Sequence, residues 1–211
     1  LRSAVETAAR INDPAQQKQL MLIIQNDIQR LDRLISDISD ASRLDSELSR
    51  AEMEPVDMAC LLNALKNMHT ATTETGNVEF DMDLAEGLPM IVSGLEDRIV
   101  QVLRNLIGNA VSFSPPGGAI ILKAEPQGNT VIVTVEDEGP GIPEGSEDNI
   151  FNRFYQERPT EEKFGTHSGL GLSISKQIVE THGGRISAEN RMSERGEVLG
   201  ARFTVQLPVP A

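Results

Sequence analysis

The sequence predicts an α+β protein in two parts. The first is an N-terminal helical hairpin, half of a dimeric four-helix bundle. The second is an α/β sandwich with a mostly antiparallel, mixed sheet and helices on one face. Three observations predict this. Between Leu20 and Leu48 a set of apolar residues recurs at steps of three or four. Alternating runs begin only beyond Asp57, interleaved with helical ones. The 211 residues, 39% hydrophobic, give room for one large domain or two modest ones.

The first element is a long helix over residues 14–50. Asp13-Pro14 starts it: an N-cap carboxylate, then Pro at the first helical position, where its missing N–H costs nothing. Leu20, Ile24, Ile28, Leu31, Ile35, Ile38, Ala41, Leu44 and Leu48 form one narrow stripe, close to a 3.5-residue repeat. Residues 1–10 are helical in pattern but too short to cover it. A hairpin pairing with a second copy buries the stripe; a helix lying on the following domain is the alternative. Leu1 falls inside a helical pattern with no cap, so the chain is expected to continue a segment preceding Leu1.

Residues 50–57 are the expected joint. Pro55 ends the helix and Asp57 caps the next, 58–68. Val78-Glu79-Phe80-Asp81-Met82-Asp83-Leu84 alternates as a half-buried strand. Runs 119–124 and 130–135 are β-rich, joined through Pro126-Gln127-Gly128-Asn129, and 201–207 is a final alternating strand. Helices are expected over 94–113 and 171–181. Ser93 and Glu96 read as a capping box for the first of these, and His182-Gly183-Gly184 ends the second.

Composition narrows the function. Net charge is −13, from 32 acidic and 19 basic residues, with no Lys/Arg run, which argues against nucleic acid as a partner. The single Cys60 cannot form an internal disulfide and reads as a small buried apolar residue. No run of eighteen apolar residues is present, so a membrane is reached only through segments upstream of Leu1.

Several residues can carry chemistry. Asn105, Asn109 and Ser112 share a face of the 94–113 helix, where Asn has poor propensity. A solvated polar face explains them; so does the Asn109 side-chain oxygen as a Mg²⁺ ligand, since Mg²⁺ takes hard oxygens, with Asn105 a turn away beside the same phosphates. Asp137 ends an apolar strand and precedes Gly139-Pro140-Gly141. A carboxylate there can accept a hydrogen bond from the exocyclic amine of adenine, and glycines let backbone approach a base; a Gly/Pro-rich turn is the plainer explanation. Gly169-Leu170-Gly171-Leu172 opens a helix whose first amides can bind phosphate. Residues 144–168 read as a mobile loop over a ligand, its Phe151, Phe154 and Tyr155 either a latch or a small satellite core.

Four motifs thus stand in order: Asn105-x-x-x-Asn109, Asp137-Glu138-Gly139-Pro140-Gly141, Phe151-Asn152-Arg153-Phe154 and Gly165-Thr166-His167-Ser168-Gly169-Leu170-Gly171-Leu172. As a set they resemble the N, G1, F and G2 boxes of two-component sensor histidine kinases, with a GHKL-type ATP-binding domain over 58–211. Arg43-Leu44-Asp45-Ser46-Glu47 resembles the end of the second helix of that family's dimerisation segment, here 1–52. The resemblance implies ATP and Mg²⁺ as cofactors, Asn109 as metal ligand, Asn105 as its phosphate-side neighbour and Asp137 as the adenine contact. It implies Gly139 and Gly141 as base-loop glycines, and His167, Ser168, Gly169, Leu170 and Gly171 as phosphate-side residues. Ser112-Phe113 stands where the family often has Lys-Tyr, and Gln156 where an Arg often follows, so Arg153 is the nearer phosphate cation. The Ser112-Phe113-Ser114-Pro115 variant resembles ChvG-type kinases. The implied protein is the cytoplasmic part of an inner-membrane sensor, a homodimer through its N-terminal helices, passing phosphate from a histidine to a response regulator receiver domain. The family's acceptor histidine would precede Leu1, so this chain is expected to bind ATP without phosphorylating itself. Another GHKL ATPase, or a non-catalytic dimeric module with an ATP site, are the competing readings.

Overall fold

The computed structural model describes residues 51–72, 78–85, 87–155 and 169–210, with scattered positions between 13 and 39. Those N-terminal positions, from 16 to 39, are all helical, and Asp13 carbonyl accepts the Gln17 N–H at 2.9 Å as the helix start requires. Ile24 is buried, but Ile28, Leu31 and Ile35 of the same stripe are 46%, 42% and 65% exposed. The expected partner helix at 1–10 and the end of the long helix at 40–50, hence the hairpin and its bundle, lie outside the described residues.

From residue 54 the order is β1 (Glu54–Asp57), α1 (Met58–Thr72), β2 (Val78–Leu84), β3 (Ile91–Gly94), α2 (Glu96–Phe113), β4 (Gly118–Gln127) and β5 (Thr130–Glu136). A short 3-10 helix (Asn149–Phe151), α3 (Gly171–Thr181), β6 (Arg185–Met192) and β7 (Val198–Pro208) follow. Five strands form the main sheet in the order β2-β4-β5-β7-β6, with β2 parallel to β4 and every other pair antiparallel. β1 and β3 make a separate two-stranded antiparallel ribbon.

Alternation along the strands builds the core. Ile120 and Leu122 of β4, Val131, Val133 and Val135 of β5, and Phe203 and Val205 of β7 point inward. They meet Val102, Leu103, Leu106 and Ile107 of α2 and Ile174 and Ile178 of α3 in one apolar cluster. Each of these side chains contributes about 1.5–3 kcal/mol when buried. The outward residues are mostly polar, with Ile121 and Ile132 among them. Glu136 is the exception in burial, at 3% exposed, because Arg202, Arg191 and Lys123 close over it at 2.7, 3.3 and 3.5 Å.

Expected strands 78–84, 119–124, 130–135 and 201–207 are all present, and Gly128, at φ +61°, turns the β4–β5 hairpin. Asp57 caps α1, its Oδ1 accepting the amides of Ala59 at 2.9 Å and Cys60 at 3.1 Å. Three expectations are corrected. Cys60 is exposed, because α1 buries Met58, Leu61, Leu62 and Leu65 and leaves residue 60 on the outer face. The joint at 50–57 contains a strand, since Pro55 pairs with Ser93 on an edge where its missing N–H is harmless. That pairing also removes the capping box: Ser93 lies in β3, and the N-cap of α2 is Leu95 with no side-chain cap.

Leu95 is served from across the fold. His182 Nε2 accepts the Leu95 N–H at 3.0 Å, so the ring proton sits on Nδ1, which donates to Ile178 carbonyl at 2.7 Å. His182 is also the C-cap of α3. Gly183, at φ +70°, donates to Glu180 carbonyl and Gly184 to Val179 carbonyl, the Schellman arrangement that a C-cap glycine implies. One imidazole thereby joins the start of α2 to the end of α3.

Candidate functional site

Asp137 follows β5 directly and is 3% exposed. Its Oδ1 accepts the amides of Gly139 at 2.9 Å and Ala201 at 3.0 Å. Burial raises its carboxyl above the ordinary value of 3.8, against the opposing pull of those two amides and of the Arg191 charge. Arg191 Nη1 reaches the main-chain carbonyl of Asp137, at 2.8 Å. Both amides converge on one oxygen, so Oδ2 is the oxygen with capacity left for a ligand.

The loop after Asp137 requires its glycines. A methyl on Gly139 would stand 2.8 Å from Phe113 carbonyl, where the loop lies against the end of α2. Gly141 has φ +79°, and a methyl there would meet Asn190 Oδ1 at 2.5 Å.

Asn105 is half-buried, and its Nδ2 donates to Gly171 carbonyl at 3.2 Å and Ser175 Oγ at 3.3 Å. It therefore ties α2 to the first turn of α3. Asn109, four residues on in the same helix, is half-buried, and its side chain has no hydrogen-bond partner among the described residues. The start of α3 has no side-chain cap: Leu170 is the N-cap and is buried. Gly169, at φ +73°, turns the chain into that helix, and its carbonyl accepts the Phe154 N–H at 2.9 Å. Thus the structure brings the Asn105 helix, the Gly169–Gly171 turn and the end of the aromatic segment into direct contact.

The aromatic residues of that segment do not form one satellite core. Phe151 enters the main core, edge-on to Phe203 with centroids 6.5 Å apart, while Phe154 is 64% exposed with φ 64°. Arg153 is exposed in the turn between them. His167, Ser168 and the other residues of 156–168 lie outside the described residues.

Four residues that matter here were not singled out from sequence: Asn190, Arg191, Gly200 and Ala201. A lone glycine opening an apolar strand, Leu199-Gly200-Ala201, was the available signal of close backbone approach. Gly200 has φ +144°, and a methyl there would overlap the Asp137 carbonyl oxygen.

Residues 94–211 match the family described as histidine kinase-, DNA gyrase B-, and HSP90-like ATPase. The chain belongs to this family. This ATPase-family chain is 48% identical over 214 residues to sensor protein ChvG of Rhizobium meliloti (strain 1021), covering 99% of the chain and 37% of the relative. It is 47% identical to sensor protein ChvG of Agrobacterium fabrum (strain C58), covering 99% of the chain and 36% of the relative. It thus spans little more than a third of the length of these curated relatives. Among solved structures it is similar to histidine kinase ThkA in complex with response regulator protein TrrA, with TM-score 0.74 and 26% identity over 99% of this chain and 58% of that one. It is similar also to full-length ShkA in complex with AMPPNP, with TM-score 0.70 and 25% identity over 96% of this chain and 41% of that one. The four boxes and the full-length similarity agree: the chain is related to sensor histidine kinases of the ChvG type. No helix among the described residues is long and apolar enough to cross a membrane.

Proposed function

We propose that this chain is the dimerising and ATP-binding core of a two-component sensor histidine kinase, with 1–52 as the dimerisation and phosphotransfer segment and 58–211 as the catalytic domain. The observation that carries this reading is the buried Asp137, whose Oδ1 is fully used by backbone and whose Oδ2 keeps its capacity to accept. A buried carboxylate is costly and is retained where it has a task. Adenine supplies an amine donor that meets Oδ2; guanine presents a carbonyl there and is rejected. Gly139 and Gly141 let the loop backbone lie against the base. The uncapped first turn of α3 offers amides to the phosphates, with Gly169, Leu170 and Gly171 shaping the turn and His167, Ser168 and Arg153 as further phosphate-side residues.

Mg²⁺ fits this donor set. Among the described residues no trio of His, Cys, Asp or Glu is placed to hold a metal, and the ligands this reading gives Mg²⁺ are the Asn109 oxygen and the phosphates of the nucleotide. Asn109 has a free hard oxygen on α2, and Mg²⁺ typically takes one or two protein ligands and the rest from phosphate and water. When bound, Mg²⁺ neutralises charge on the phosphates. The chain's own part is positioning: Asn105 holds α2 against α3, and Asp137 fixes the base, so that the γ-phosphoryl is presented to an incoming histidine.

The acceptor histidine and the response regulator receiver domain lie outside these residues. ThkA's complex with a response regulator supports the receiver-domain partner by similarity, and ShkA's complex with AMPPNP supports the nucleotide. The relation to sensor proteins supports a cytoplasmic placement, with a membrane reached through upstream segments. Of the three histidines, His182 is buried and engaged at both nitrogens, His69 lies on α1 rather than on a bundle helix, and His167 stands in the glycine-containing sequence motif before α3. The chain incubated with γ-labelled ATP and Mg²⁺ is therefore expected to bind nucleotide and carry no acid-labile, base-stable label. Adding a separate phosphoacceptor helix should move label onto that helix. Label on the chain itself, lost on replacing one of its three histidines, would overturn the missing-acceptor part. Failure to retain ATP at all would overturn the whole reading.

The homodimer rests on the exposure of Ile28, Leu31 and Ile35 on one helical stripe. Light scattering at micromolar concentration should return twice the 23.0 kDa chain mass. Replacing Ile28 and Ile35 by Glu should return the monomer mass, and a monomer before substitution would refute the bundle.

A further inference from the structure

Asp137 and Ile142 bound the glycine loop, and two consecutive residues of β6 hold its two ends. Arg191 Nη1 donates to the Asp137 carbonyl at 2.8 Å, while its Nε pairs with Glu136 at 3.3 Å. Asn190 holds the other end with both halves of its amide. Its Oδ1 accepts the Ile142 N–H at 2.6 Å, and its Nδ2 donates to the Ile142 carbonyl at 2.7 Å. A side-chain amide carries the same donor and acceptor as a peptide, so Asn190 extends the sheet's hydrogen bonding to a loop that is not a strand. Successive residues of a strand point to opposite faces, so Asn190 and Arg191 grip the loop from two sides. A register shift between Arg191 and Met192 ends the regular pairing at this point. The loop itself contains Gly139 and Gly141, which have the most conformational freedom to lose, so its geometry needs an external anchor.

We infer that Asn190 is a positioning residue for base selection: its amide holds the Ile142 main chain, which fixes the glycine loop at the distance from Asp137 that an adenine ring fills. The proposal rests on the reading of Asp137 as the base contact. Asn190 itself touches no base. It acts through Ile142, which is buried, and through Gly141, whose Cα passes against the Asn190 amide. With the clamp gone, the loop samples other conformations, and the hydrogen bond that distinguishes an amino group from a hydrogen loses its alignment.

The test is base discrimination rather than binding alone. Affinities for Mg-ATP and for purine riboside triphosphate, which lacks the 6-amino group, are measured by calorimetry on the 211-residue chain. The unsubstituted chain should prefer ATP. Asn190→Ala should lose about tenfold for ATP and much less for the analogue, so that the ratio falls toward one. Asn190→Asp keeps the acceptor for the Ile142 N–H and loses the donor, and should fall between. A merely structural Asn190 would lower the unfolding temperature and leave the ratio unchanged in both variants; that result would overturn this proposal alone. If the unsubstituted chain does not distinguish the two nucleotides, the base-contact reading of Asp137 and this proposal fail together. Should Asn190→Ala not fold, the ratio in Asn190→Asp decides.

Discussion

Asp137→Asn is expected to weaken ATP binding by about tenfold to a hundredfold, the worth of one charge-assisted hydrogen bond, while leaving the fold as stable as before or more so. The substitution preserves an oxygen for the two amides of Gly139 and Ala201, so the local backbone keeps its partners. It replaces Oδ2 by an NH₂ group, and a donor would then face the donor of adenine. The stability half of the prediction follows from burial. The native carboxyl holds its proton more tightly than the unfolded one, because desolvation outweighs the amides and Arg191. The ionised form therefore costs stability at neutral pH. That cost is absent once the pH is below the ordinary value of 3.8 and fully present above the raised native one. The amide variant, neutral throughout, should melt at or above the temperature of the unsubstituted chain at neutral pH, with the advantage shrinking as pH is lowered. Calorimetric titration with Mg-ATP and melting curves across pH check both halves. Unchanged affinity in a folded variant would remove Asp137 from the site. Asn109→Ala serves as the companion, losing the part of binding that depends on Mg²⁺.

Gly200→Ala should be among the most damaging single substitutions in the α/β part of the chain, at about 2–4 kcal/mol from backbone strain and overpacking together. Gly200 has φ +144°, which L side chains rarely adopt, and its missing side chain is replaced by the Asp137 carbonyl. The atoms that an added methyl would meet are all backbone: Asp137 O, Asp137 C at 2.7 Å and Glu138 Cα at 3.0 Å. No rotamer change relieves that contact. Moving β7 away would stretch the paired bonds between Asp137 and Ala201, both at 3.0 Å, and so open the site from behind. Urea unfolding should show the loss, and the folded fraction should bind ATP weakly. Gly108→Ala is the control. Gly108 lies inside α2 with nothing within 4 Å of an added methyl, and its substitution should stabilise by about 0.5–1 kcal/mol. Equal effects at the two glycines would show that the close approach at Gly200 carries no weight.

Most of what was legible in advance was local. The 3.6-residue stripe of α2, with Ile99, Val102, Leu103, Leu106 and Ala110 all buried, is written within eighteen consecutive residues. The alternating strands at 78–84 and 130–135 and the glycine turn between β4 and β5 are likewise each contained in one short window. Asp57 could be assigned as a cap because its acceptor and the amides it serves are two and three residues apart. The candidate site was legible for a different reason: its residue types, Asn on a helix, Asp before glycines and glycines before a helix, are those that binding a nucleotide requires, and they stand in order.

The tertiary structure decided what depends on partners far apart in the chain. β1 and β3 have four residues each, too short to show a period, and exist because they pair with one another. Ser93 satisfied the capping pattern of α2, yet the strand took it and His182, 87 positions away, supplied the acceptor for Leu95. Asn190 and Ala201 reach Ile142 and Asp137, at the two ends of the glycine loop, across 48 and 64 positions. Nothing in the local sequence marks an Asn or an Ala for such a task. The sequence alone determined the periodic elements and the residue types and order of the four motifs, since these are properties of the chain itself. Only the packed structure decided which polar groups would serve one another, because a hydrogen bond goes to whichever donor and acceptor the folded sheet brings within about 3 Å.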